Sequence, residues 1–170
     1  EQAPAAMSES HAEARRGELT GLRLRFQRQL LGLFRGEDPS RQLAGMRTTL
    51  LEIAARCYHV HGRRLWWIAA GVLEGVGQGL FKNRTTEIRQ LIGKVDRNIR
   101  ELIEHGEGSL RGGDADELAC QLLYLVAQSA QRSPQMELLQ STYALDRKVP
   151  DASELEHARG SMADHNRALL

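Results

Sequence analysis

Between Ile88 and Ile103 the apolar residues are Ile88, Leu91, Ile92, Val95, Ile99, Leu102 and Ile103, at intervals of 3, 1, 3, 4, 3 and 1. That spacing lines up on one face of an α-helix and scatters over both faces of a strand. Arg89, Lys94, Asp96, Arg97, Arg100 and Glu101 fill the remaining surface. A helix patterned this way is stable only when its stripe is buried against other helices. The helix starts at Thr85 or Thr86, as a cap, and runs to about 105.

The same period recurs along the chain. Leu19, Leu22, Phe26, Leu30 and Leu33 mark a first helix over about 11–35, with Arg23, Arg25, Arg28 and Arg35 off the stripe and Gly36 ending it. Asp38-Pro39 opens a second helix as N-cap and first-turn proline, with Leu43, Met46, Leu50, Ile53, Ala54 and Cys57 inward and the segment Tyr58–Gly62 closing it. A third, over about 63–80, carries Leu65, Ala69, Val72, Val76 and Leu80 on one row and Trp67, Gly71, Gly75 and Gly79 on another. Glycine inside a helix costs about 1 kcal/mol relative to Ala, so this row implies the close approach of a neighbouring helix. Gly106–Gly113 reads as a loop, and Asp114-x-x-Glu117 as a capping box that starts a fifth helix. Ser133-Pro134 opens a short sixth helix to about Tyr143, and Pro150-Asp151 a last polar one over about 151–168. No segment alternates with period 2.

The fold class is therefore all-α, an antiparallel bundle of five to seven helices with a phosphotransfer-like architecture. Residues 1–10 read as a flexible N-terminal segment, 11–150 as the bundle domain and 151–170 as a peripheral C-terminal helix.

The composition excludes several classes. With 41% hydrophobic and 26% charged residues the chain can build a core. No apolar run approaches the ~18 residues of a membrane span, and Glu74 and Gln78 interrupt the glycine-rich helix. A net charge of +1 is not the footprint of a dedicated nucleic-acid binder. Residues 1–64 hold 11 Arg against 7 acids, a modest basic half that suits an acidic partner or a solvated face equally. Cys57 and Cys120 sit among apolar residues and read as buried hydrophobes of a reducing, cytoplasmic compartment. EQAPAAMSES lacks the pattern of a signal peptide, and both ends read as those of a piece of something longer.

Each catalytic constellation fails on spacing. Cys57, His59 and His61 crowd one helix end without a second pair at a usable distance for zinc, so no metal or cofactor is expected. Gly106-Glu107-Gly108-Ser109 lacks the lysine of a P-loop, and Glu107 would repel phosphate. No Gly-x-Ser-x-Gly occurs. A phosphotransfer domain carries its acceptor in a His-x-x-Lys/Gln-Gly pattern, and His11, His59, His61, His105, His157 and His165 all lack it. His59 and His61 are the least unfavourable acceptors if an atypical one is used.

The stretch Leu65-Trp66-Trp67-Ile68 through Val72-Leu73-Glu74-Gly75, then Leu91-Ile92-Gly93-Lys94-Val95-Asp96-Arg97 through Leu102-Ile103-Glu104-His105-Gly106, carries a resemblance. Asp116-Glu117-Leu118 with Leu122-Leu123-Tyr124-Leu125-Val126-Ala127 extends it. Together they resemble the second N-terminal module of the ChpA/PilL-type chemotaxis-like hybrid histidine kinase of the type IV pilus system, a region to which the FimL scaffold is similar. The resemblance implies a degenerate phosphotransfer module inside a cytoplasmic relay controlling twitching motility, with no catalytic residue of its own. Its implied partners are other domains of the same kinase and pilus signalling or scaffold proteins, with homodimerisation left open.

Three readings follow: a non-catalytic interaction or spacer module of such a kinase, an atypical phosphotransfer domain or FimL-type scaffold, and a helical ligand sensor with a cavity lined by Tyr58, Trp66 and Trp67. Adjacent residues on a helix point ~100° apart. Trp67 shares the glycine row, so the expectation is a buried Trp67 and a more exposed Trp66 serving as the partner surface. The competing arrangement packs Trp66 beneath the first helix or the C-terminal segment.

Overall fold

A computed structural model describes residues 3–128, with side chains from residue 9 onward. The expected sixth and last helices lie outside the described residues. Among the described residues the chain is all-α: α1 (Ala3–Phe34), α2 (Pro39–Ala55), α3 (Val60–Gly77), α4 (Thr85–His105) and α5 (Gly113–Gln128), with short 3-10 turns at Lys82–Arg84 and Glu107–Leu110.

Each helix packs principally on two others: α1 on α2 and α4, α3 on α2 and α5, and α4 on α1 and α5. The pairing closes the bundle around one core. Phe26 of α1, Met46, Leu50 and Ile53 of α2, Ile68 of α3, Ile99 of α4 and Leu125 of α5 are all fully enclosed. The whole α4 stripe from Ile88 to Leu102 is buried, as its period requires, and Ile103 packs at its edge.

The terminators follow backbone chemistry. At the end of α1, Glu37 N donates to Gly32 O at 3.0 Å and Gly36 N to Leu33 O at 3.1 Å. At the end of α3, Leu80 N donates to Gly75 O and Gly79 N to Val76 O, both at 3.0 Å. Both are Schellman closures, with Gly36 at φ 75° and Gly79 at φ 76° where a side chain would be strained. Gly79 thus terminates α3 and does not extend the glycine row, while Gly71 and Gly75 are buried within the helix. Asp38 caps α2, its carboxylate accepting from Arg41 N at 3.4 Å.

Four local expectations need correction. The first helix begins at Ala3 and not at about 11, so the segment expected to be flexible is helical from that point; its Ala, Met and Glu residues are good helix formers. Tyr58–Gly62 does not simply close α2: α2 ends at Ala55, and Val60, His61 and Gly62 already belong to α3. Neither Thr85 nor Thr86 caps α4; Arg84 holds that position, at the end of a 3-10 turn. Asp114 lies inside the first turn of α5, opposite the helix dipole, and not at the cap.

Polar residues tie the helices together. Arg23 of α1 grips Asp96 of α4 with two bonds, Nε to Oδ1 at 3.2 Å and Nη2 to Oδ2 at 3.1 Å, and Gln27 adds a third at 3.3 Å. Arg25 pairs with Glu52 of α2 and donates through Nε to the enclosed Thr49 hydroxyl at 3.0 Å. No helix among the described residues is long and apolar enough to cross a membrane.

Candidate functional site

The residues singled out in the sequence converge on the corner between α2 and α3. After Ala55 the chain turns through Arg56, Cys57 and Tyr58 and re-enters helix at Val60, with His59 as the N-cap. The His59 side chain makes no capping bond. Its backbone N–H instead donates to Glu107 Oε1 at 3.0 Å, from the 3-10 turn after α4. The Glu107 carboxylate is thus the capping acceptor, supplied from elsewhere in the chain.

Glu107 is only 8% exposed. Its other oxygen pairs with Arg15 Nη2 at 3.2 Å. Arg15 also donates to the Arg56 carbonyl, at 3.0 Å from Nε and 2.7 Å from Nη2, and lies 4.7 Å over the Tyr58 ring. One guanidinium therefore joins α1, the end of α2 and the turn after α4. Burial alone would raise the Glu107 pKa, but the His59 N–H, the Arg15 guanidinium and the Tyr58 N–H together outweigh it and hold it below the ordinary 4.5.

This depressed pKa has a consequence for stability. The stabilisation from Glu107 is complete above pH 4.5 and is lost as pH falls through its lower folded value, because the unfolded chain then binds the proton more readily. Glu107→Gln is expected to cost about 1–3 kcal/mol near neutral pH. It should also flatten the decline in stability below pH 4.5. Urea unfolding of both chains from neutral to acid pH checks this; parallel profiles would show that the carboxylate is not held as described.

Cys57 lies against the same corner and is buried. Burial pushes its thiol up to about 11; the nearby Trp66 N–H, Glu107 and Arg15 modify that effect without reversing it. The Trp66 indole N–H meets no hydrogen-bond partner, yet it lies close enough to the sulfur to favour the thiolate slightly. A protonated, enclosed thiol is a packing group and a poor nucleophile. Glu107 and Cys57 both move away from neutrality, the reverse of what proton transfer near pH 7 requires. Cys120, expected to be buried, is exposed on α5.

Trp66 is fully enclosed and Trp67 only partly so, which reverses the expected order. The corner accounts for the reversal: Trp66 lies beside the buried Cys57 of the α2–α3 turn. Trp66 is therefore not the exposed aromatic of a partner surface. Tyr58, in the turn before α3, is the exposed aromatic of this corner at 75%, beside Val60 at 64%. With Tyr58 outside and Trp66 inside, these side chains do not line the shared cavity that the ligand-sensor reading would need. His59 is exposed and His61 half-buried with its Nδ1 unpartnered.

Gly62 is the tight point, and the sequence did not single it out. A Cβ there would lie 3.2 Å from both Cys57 Sγ and Leu110 Cδ1. Gly62→Val is expected to destabilise the chain by about 1–3 kcal/mol, more than Gly62→Ala. Thermal unfolding of both variants checks the order.

Elsewhere, a polar cleft of ≈ 380 Å³ separates α4 from α5, with Lys94, Arg97 and Arg100 facing Asp114 and Glu117. Glu101, Glu104 and His105 at the end of α4 bring ligand-type atoms within 4.8 Å of one another, and the His105 ring lies 3.7 Å from Glu101 and 3.8 Å from Glu104.

No curated protein and no solved structure significantly matches the chain. A family model does: that of the FimL scaffold protein second domain, over residues 11–156. This match covers most of the chain and spans every helix that builds the corner, so the chain belongs to the FimL scaffold protein second domain family.

Proposed function

We propose that the chain is a non-catalytic scaffold domain that holds proteins of type IV pilus signalling together in the cytoplasm. The observation that carries this reading is the match to the second domain of a scaffold protein over residues 11–156. It favours a FimL-type scaffold over the ChpA/PilL kinase module that the sequence suggested first. The corner supports it: Tyr58 and Val60 stand exposed on a turn pinned by Arg15 and Glu107. Aromatic anchors on rigid supports are the usual composition of binding hot spots, since little entropy is lost when they are covered.

The partners are pilus signalling and scaffold proteins, including the chemotaxis-like kinase, with a second copy of the chain as another candidate. Binding of the kinase's N-terminal region to the immobilised chain tests this. Tyr58→Ala with Val60→Asp is expected to weaken it by about tenfold or more while leaving the fold intact. Failure to bind, or unaltered binding by the variant, counts against the reading. Acid-labile phosphate on His59 or His61, after incubation with a phosphodonor and a kinase core, would replace it with atypical phosphotransfer.

A further inference from the structure

The corner between α2 and α3 gathers four arginines, Arg15, Arg56, Arg63 and Arg64. Three of them have a carboxylate. Arg15 pairs with Glu107 at 3.2 Å, Arg56 with Glu18 at 2.9 Å, and Arg64 stands 3.9 Å from Asp116. Arg63 meets no carboxylate among the described residues. It is exposed, and its Nη2 donates to the Tyr58 carbonyl at 3.1 Å. That bond holds the guanidinium against the turn that presents Tyr58. Val60 precedes Arg63 by three residues in α3, so the two side chains are neighbours on one face of the helix.

The acids of this corner are already engaged. Glu107 is buried and held by Arg15 and the His59 N–H, while Glu18 and Asp116 each face an arginine. His59 and His61 are neutral or cationic and add no negative charge. The corner also belongs to the more basic part of the chain, since residues 1–64 hold 11 Arg against 7 acids. An exposed apolar pair, Tyr58 and Val60, thus lies beside a cation that its own corner does not neutralise.

We propose, resting on the scaffold reading above, that this corner docks an acidic segment of a partner protein. An apolar side chain of that segment covers Tyr58 and Val60, and a carboxylate next to it pairs with Arg63. A guanidinium offers a planar fork that suits a carboxylate, and one already held by a backbone carbonyl loses less freedom on binding. Covering the apolar pair excludes water from the ion pair beside it and strengthens the attraction. A basic segment is repelled at the same place, so Arg63 sets the choice of partner as well as adding to the contact.

Random dodecapeptides displayed on phage and selected on the immobilised chain test the proposal. The selected sequences are expected to carry Asp or Glu beside an aromatic or aliphatic residue. Their affinity should fall about tenfold in Arg63→Glu and in Tyr58→Ala, and should weaken with added salt. Arg28→Glu is the control: Arg28 is equally exposed but lies about 20 Å along α1 from Arg15, and its variant should bind as before. Arg63→Glu keeps the fold, because an acid in the first turn of α3 suits the helix dipole; circular dichroism checks this. Selected sequences without acids, or unaltered binding by Arg63→Glu, overturn the proposal. Self-association that Tyr58→Ala abolishes in sedimentation also overturns it, assigning the corner to a second copy of the chain. The kinase's N-terminal region, measured on the same variants, separates this proposal from the scaffold reading. If that region binds through Tyr58 and ignores Arg63→Glu, the acidic partner is wrong and the scaffold reading stands. If acidic peptides bind through Arg63 and that region does not bind, the acidic partner stands and the scaffold reading loses its support.

Discussion

Ile99→Asp is expected to remove most of the stability of this domain, about 4 kcal/mol or more. Ile99 is at the centre of the α4 stripe and is fully enclosed, with Val95 one turn before it and Leu102 one turn after. A carboxylate at that position has no cation within the core. It must either lose its hydration unpaired or take up a proton, and both penalties fall on the folded state. Val95→Asp should behave similarly. Arg100→Asp is the control: it places the same charge one residue away, on the exposed face of the same helix, and is expected to cost less than about 1 kcal/mol. Urea unfolding followed by circular dichroism gives the comparison. A loss under about 1 kcal/mol for Ile99→Asp would mean that the stripe is not the core face.

Trp66→Ala is the second large effect, about 3–5 kcal/mol. The indole is the largest of the fully enclosed side chains, and its removal leaves a void beside Cys57 that the surrounding helices can fill only in part. The two cysteines provide a second readout. In the unaltered chain a thiol reagent should label the exposed Cys120 and spare the buried Cys57. In Trp66→Ala, Cys57 should become reactive as the corner opens. Trp67→Ala should cost less, since Trp67 is only partly buried. Equal losses for the two variants, with Cys57 still protected, would contradict the position assigned to Trp66.

How much of this was legible in the sequence depends on the range over which each interaction acts. The stripe of α4, the closure of α1 at Gly36 and the Asp38-Pro39 start of α2 are written in consecutive residues, because helical period and end-capping act over one or two turns. The corner is different. Glu107 caps α3 although the two segments are far apart in sequence, and Gly106–Gly113 taken alone reads as an open loop. That context also moved the start of α3 back to Val60, since the Glu107 carboxylate satisfies an N–H that the local sequence leaves without a side-chain acceptor.

The amino-acid sequence by itself determined that this chain is a helical bundle, where most of its helices run and which face of each is apolar, because those properties follow from the 3.6-residue period and the chemistry of adjacent caps. Only the tertiary structure decided which of two adjacent tryptophans is enclosed, that Arg23 and Asp96 clasp α1 to α4, and that Arg15 and Glu107 hold the α2–α3 corner beneath an exposed Tyr58. Periodicity marks the apolar side of a helix but not which neighbour arrives there. A charged residue off the stripe reads the same whether it faces water or a partner brought in from a distant segment.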